Sequence, residues 1–117
     1  EPFENIVGMR ETRGQVAQFQ LGNMQMEVFC YAQPQPKGGE RRPACDVGIR
    51  HIAFDVIDIH AEHARLKAAG VDFISPPQHL ALGGVTSCYF YDPDGNIVEL
   101  QEIHAGSPVR PAFGIVA

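Results

Sequence analysis

Residues Arg50 to Glu102 constrain the fold of this chain more than any other stretch. The run His51-Ile52-Ala53-Phe54-Asp55-Val56 alternates with the period of a strand. Asp58 follows as a helix N-cap, and a helix is predicted from Asp58 to Ala69. Ile59, Leu66 and Ala69 form its apolar stripe, and Gly70 ends it. Val71 to Ile74 reads as a short strand stopped by Pro76-Pro77. Gln78 to Gly84 reads as a connection. Val85 to Tyr91 and Ile97 to Gln101 are then two strands joined by Asp92-Pro93-Asp94-Gly95-Asn96, with Pro at a preferred turn position and Gly where φ turns positive. Together these elements make one complete βαβββ unit.

Two residues inside that unit carry chemistry. Side chains alternate across a strand, so His51, Ala53 and Asp55 share one face, while Ile52, Phe54 and Val56 pack toward the helix. Glu99 sits in the apolar run Ile97-Val98-Glu99-Leu100. An unpaired buried charge is very costly there. The carboxylate therefore either points to water from an edge strand or has a partner, and a metal ion shared with a histidine is one such partner.

The first third of the chain is a partial version of the same pattern. Phe3 to Gly8 reads as the last turn of a helix ended by glycine. Strands are predicted at Met9 to Thr12, Gln15 to Leu21 and Met24 to Tyr31, with a reversal at Gly22-Asn23. Glu27 lies in a strand whose reverse face, Met24, Met26, Val28 and Cys30, is wholly apolar. It is either an exposed strand glutamate or a ligand. Phe3 to Gly8 corresponds to Leu66 to Gly70, and Gln25 to Val28 corresponds to Ile97 to Leu100. Duplicated units place Glu27 and Glu99 at equivalent positions, a physical reason for both carboxylates to serve one cavity.

Composition excludes several classes of function. A chain of 117 residues makes one domain with a real core, expected over residues 1–104 with a tail at 105–117. Within it, 1–31 is the partial module, 32–49 a loop and 50–102 the complete module. The net charge of -5 argues against nucleic acid and anionic membranes as partners. No apolar run is long enough to span a bilayer. Cys30, Cys45 and Cys88 are an odd number without CxxC spacing, which favours a reducing, cytoplasmic setting. The loop from Ala32 to Gly48 carries Glu40-Arg41-Arg42; its arginines either meet an anionic substrate group or are simply solvated. His60 and His63, three apart on the predicted helix, read as surface histidines. The tail after His104 is either disordered or docks on a neighbouring subunit.

The runs His51 to Val56, Arg65-Leu-Lys-Ala-Ala-Gly70 and Tyr91-Asp-Pro-Asp-Gly-Asn-Ile-Val-Glu-Leu100 resemble the second module of the vicinal oxygen chelate superfamily. That superfamily includes glyoxalase I, methylmalonyl-CoA epimerase, extradiol dioxygenases, and fosfomycin and bleomycin resistance proteins. The resemblance spans about Phe3 to Glu102. It implies an α+β fold of paired βαβββ modules forming a cup-shaped mixed sheet, the first module lacking its opening strand and most of its helix. It also implies a divalent metal (Ni, Zn, Co, Mn or Fe). Carried over residue by residue, the ligands fall on Glu27, His51 and Glu99.

Family members place a further ligand, His or Gln, on the first strand of module one, and no histidine precedes His51. That ligand either lies in a segment beyond this sequence, or is replaced by water or another subunit, or the site is degenerate. The incomplete module leaves sheet edge to cover, so a homodimer is expected. The implied function is that of a metal-dependent lyase or isomerase of the glyoxalase I type. It would transfer a proton beside a metal-polarised carbonyl of a small molecule, such as a thioester or thiohemiacetal, with Glu27 or Glu99 as base. One alternative is an extradiol-type dioxygenase, which needs Fe(II) and two histidines. Another is a metal-free ligand-binding dimer of the bleomycin-resistance kind. Phe29, Tyr89, Tyr91 and Arg50 are candidates to line the substrate pocket.

Overall fold

The structure is a computed structural model that describes residues 2–109. It divides into two compact units, Glu1–Gly38 and Gly39–Ala117.

The first unit opens with helix α1 (Pro2–Val7), ended by Gly8 at φ +66°. Strands β1 (Arg13–Leu21) and β2 (Met24–Gln33) form an antiparallel hairpin in which Leu21 faces Met24 and Gln18 faces Glu27. This register puts Ala17, Phe19, Leu21, Met24, Met26 and Val28 on one face. The other face carries Val16, Glu27, Phe29 and Tyr31, with Phe3 stacked on Phe29 at 6.0 Å. No residue of either strand is buried. The strand expected at Met9 to Thr12 does not form. Glu11 adopts φ +53°, which breaks an extended run, and the Thr12 amide donates to the Glu4 carboxylate at 3.3 Å.

The second unit holds β3 (His51–Asp55), α2 (Ile59–Ala68), β4 (Asp72–Phe73), β5 (Gln78–Leu80), β6 (Val85–Tyr91) and β7 (Ile97–Ile103). The sheet runs β3-β7-β6-β4, with β5 also paired to β6. Strand β3 is parallel to β7, and the remaining pairings are antiparallel. Asp58 caps α2 by accepting from the Ala61 amide at 3.0 Å. Ile59 is 0% exposed and packs with Cys88 and Leu100, flanked by Phe54, Val56, Leu66, Phe73 and Phe90. Burying such a side chain stabilises the fold by roughly 1.5–3 kcal/mol.

Three local expectations change. Ala69 is exposed, because it is the C-cap rather than part of the buried stripe. The connection from Gln78 to Gly84 begins with a true strand, β5, whose pairing with β6 is carried by backbone rather than by apolar alternation. The start of the tail is fixed rather than loose: Ser107 is 5% exposed and its hydroxyl donates to the Gly83 carbonyl at 2.5 Å. Gly84 accommodates this approach, since a Cβ there would lie 3.0 Å from Ser107. Residues 110–117, for which disorder or docking was expected, lie outside the described residues. Among the described residues, no helix is long and apolar enough to cross a membrane.

Candidate metal and substrate site

Strand pairing explains how the second unit builds its site. Along β3, His51, Ala53 and Asp55 alternate onto the face shared by Ile97, Glu99 and Gln101 of β7. Ser87, Tyr89 and Tyr91 of β6 continue that face. The opposite face, through Cys88 and Leu100, meets the Ile59 core. His51 and Glu99 therefore stand clear of the core, although Val98 and Leu100 on either side of Glu99 are buried.

His51 Nε2 lies 3.1 Å from Glu99 Oε2, with side chains 35% and 15% exposed. The Ser87 hydroxyl donates to the other carboxylate oxygen, Oε1, at 2.5 Å. The Tyr89 ring packs beside the His51 imidazole at 5.0 Å between centroids. Burial, and secondarily the Glu99 charge, pushes the Tyr89 phenol up from its ordinary value. The same two causes, in the same order, raise the Cys88 thiol. Glu99 thus has the partner its apolar strand required, and both of its oxygens are engaged.

Sequence reasoning missed Ser87. The signal was available: Ser87 shares the face of Tyr89, and Tyr89 stands directly opposite Glu99. Ser87 is therefore a diagonal neighbour of Glu99 across the strand pair.

The other candidates take these positions. Glu27 lies in β2 and accepts from the Gln18 side chain at 2.9 Å. Phe29 is stacked between Phe3 and Tyr31. Tyr91 lies under the Arg41 guanidinium at 4.1 Å, and Arg41 pairs with Asp72 at 2.5 Å. Both line an open cavity of about 430 Å³ that extends to Gly70 and Pro93. Arg42 pairs with Asp46 at 3.3 Å. Arg50, next to His51, has its Nε buried without a hydrogen-bond partner. Among the described residues, no group of three or more His, Cys, Asp or Glu side chains is gathered as a metal site. The structure itself brings together the His51–Glu99 pair.

A family profile described as Glyoxalase/Bleomycin resistance protein/Dioxygenase superfamily matches residues 3–100. The chain belongs to that superfamily. Curated relatives include biphenyl-2,3-diol 1,2-dioxygenase 3 of Rhodococcus globerulus, 42% identical over 81 residues that are 62% of this chain and 39% of the relative. Biphenyl-2,3-diol 1,2-dioxygenase 2 of the same organism is 38% identical over 76 residues, 62% of this chain and 38% of the relative. The chain thus spans about two fifths of the length of these relatives.

The superfamily fold is shared with a glyoxalase family protein from Bacillus cereus. That protein is 20% identical at a TM-score of 0.76, with 87% of this chain and 70% of that chain covered. It is also shared with a variant fosfomycin resistance protein from Listeria monocytogenes, complexed with Mn(II) and 1S,2S-dihydroxypropylphosphonic acid. Here the identity is 23% and the TM-score 0.58, with 92% of this chain and 73% of that chain covered.

Proposed function

We propose that His51 and Glu99 are two protein ligands of a divalent metal in an enzyme acting on two neighbouring oxygens of a small molecule. The observation that carries this reading is the 3.1 Å approach of the imidazole nitrogen to the carboxylate oxygen. An imidazole beside a carboxylate is a donor set suited to Mn, Fe, Co, Ni or Zn. When bound, such an ion supplies Lewis acidity toward a coordinated substrate oxygen. Glu27 is proposed as the third ligand, on the superfamily resemblance and its equivalence to Glu99.

The chain's own residues have distinct roles in this reading. Ser87 holds one Glu99 oxygen, so the carboxylate presents the other toward His51. Tyr89 packs on the imidazole and fixes its plane. Its raised phenol stays protonated at neutral pH and is a donor for a substrate oxygen. Glu99, or Glu27, accepts the proton that leaves the substrate.

Two reactions fit such a site. Similarity to two biphenyl-2,3-diol 1,2-dioxygenases supports dioxygenase chemistry on a vicinal diol, which would need a second histidine in addition to His51, Glu99 and Glu27. The pairing of carboxylate with imidazole equally suits glyoxalase-like proton transfer. We further propose a homodimer in a reducing, cytoplasmic setting. The exposed apolar face around Phe19 and Met24 motivates the dimer.

Metal content of purified protein, beside His51→Ala and Glu99→Ala, tests the site. Each variant is expected to hold about one divalent ion per chain fewer than the parent. A parent protein that takes up no metal after reloading would sink the enzyme reading. Oxygen uptake with biphenyl-2,3-diol under Fe(II), against turnover of a thiohemiacetal under Ni(II) or Zn(II), separates the two reactions.

A further inference from the structure

A cluster of two histidines, a threonine and a glutamate lies on the other face of the same sheet. His79 of β5 stands directly opposite Thr86 of β6, and Thr86 stands directly opposite Glu102 of β7. These three side chains form one row across three strands. His104, two residues beyond Glu102, projects to the same side. That side is the face of Cys88 and Leu100, opposite the face of Ser87 and Glu99.

Both imidazoles converge on one oxygen. His79 Nδ1 lies 3.3 Å, and His104 Nε2 2.7 Å, from the Thr86 hydroxyl. The ring centroids are 5.5 Å apart. Thr86 is 5% exposed, so its hydroxyl is held at the bottom of the cluster. The hydroxyl has a single proton. With both rings neutral, it donates to one ring nitrogen and accepts an N–H from the other. On the outer side of His104, Nδ1 faces Glu102 Oε1 at 3.8 Å, an ion-pair rather than a hydrogen-bond distance. Glu102 is itself anchored, because its other oxygen accepts the Ile59 amide at 3.0 Å.

A carboxylate behind one nitrogen of an imidazole favours the tautomer whose lone pair sits on the other. Closed to a hydrogen bond, that arrangement orients histidines toward metal ions, and Glu102 stands 3.8 Å from the position that closes it. In His104 that other nitrogen is Nε2, which points at Thr86. His79 belongs to an exposed three-residue strand, so its ring has room to turn. We infer that His79 and His104, oriented through Glu102, form a binding site for a borderline divalent ion of the zinc class, separate from the His51–Glu99 pair. The ion takes the place of the threonine hydroxyl between the two nitrogens. Two imidazoles with a carboxylate behind one of them suit zinc better than the oxygen-seeking magnesium or calcium.

The ordinary role for such a cluster is a hydrogen-bonded clamp that fixes β5 to the sheet, and Thr86 separates the two roles. The test uses the full chain carrying His51→Ala and Glu99→Gln, so the first pair is silent. Zinc alone is titrated by calorimetry, and cobalt absorption reports nitrogen ligation. The silenced chain is expected to bind about one zinc, at least tenfold more weakly after His79→Ala or His104→Ala. His79→Gln, on the exposed strand, supplies a second variant whose fold circular dichroism confirms. Thr86→Val, which removes the competing hydroxyl, is expected to bind zinc as well or better. No zinc uptake by the silenced chain overturns the inference. So does uptake indifferent to His79, uptake lost instead with His60→Ala and His63→Ala, or uptake lost with Thr86→Val.

Discussion

His51 and Glu99 meet as diagonal neighbours: Ala53 stands directly beside Glu99 in the β3–β7 pairing, while His51 stands beside Ile97. The 3.1 Å contact therefore depends on how the carboxylate is aimed, and Ser87 aims it. Ser87→Ala leaves the strands and the core intact but frees one oxygen of Glu99. Metal affinity is expected to fall about tenfold, as when an outer hydrogen bond to a ligand is removed, with thermal stability nearly unchanged. Equilibrium dialysis beside a thermal melt checks it. An equal loss in both would mark Ser87 as merely structural.

Ile59 joins the first turn of α2 to the sheet and is 0% exposed. Ile59→Ala is expected to cost about 2–5 kcal/mol through lost burial and the cavity left behind. Urea unfolding of the variant, at unchanged slope, measures this.

The three cysteines should separate by reactivity. Cys30 and Cys45 are exposed, whereas Cys88 is 3% exposed. Burial first, and the Glu99 charge second, raise the Cys88 thiol, so little thiolate forms at neutral pH. A disulfide reagent under native conditions should consume two thiols quickly and the third slowly. Because the folded chain holds this proton more tightly than the unfolded chain, the thiol's contribution to stability is intact below the ordinary thiol range. It is lost as pH rises from there through the raised value. Denaturation midpoints at rising alkaline pH, with Cys88→Ala as reference, test the sign.

Gly95 closes the Asp92–Asn96 turn at φ +83°, and a Cβ there would sit 3.1 Å from the Glu40 carbonyl. Gly95→Ala is expected to cost about 1–3 kcal/mol, from the left-handed backbone together with the close approach. A substitution at exposed Asp94 should be nearly neutral in the same melt.

The second module was legible because its signals agree. Alternation at His51 to Val56, the Asp58 cap and the Asp-Pro-Asp-Gly-Asn turn each point to one arrangement. In that turn, Asp92 Oδ1 accepts both the Asp94 and the Asn96 amides, which is why this side chain marks it so clearly. Glu99 was legible as a carboxylate out of place in an apolar strand. What escaped was whatever depends on neighbours across strands. Ser87 is an ordinary strand serine until Glu99 lies diagonal to it, and β5 has no pattern of its own until β6 pairs with it. The strand expected at Met9 to Thr12 failed because Glu11 turns left-handed, a choice no periodicity reveals.

The β1–β2 hairpin has no buried residue along either strand. A lone two-stranded hairpin is marginal in water. Its amides are therefore expected to belong to the least protected part of the chain, opening locally while β6 and β7 stay closed. Deuterium will enter Arg13–Gln33 early. Raising the protein concentration will slow that entry if a second copy covers the Phe19 and Met24 face, which would make the order of this hairpin a property of assembly.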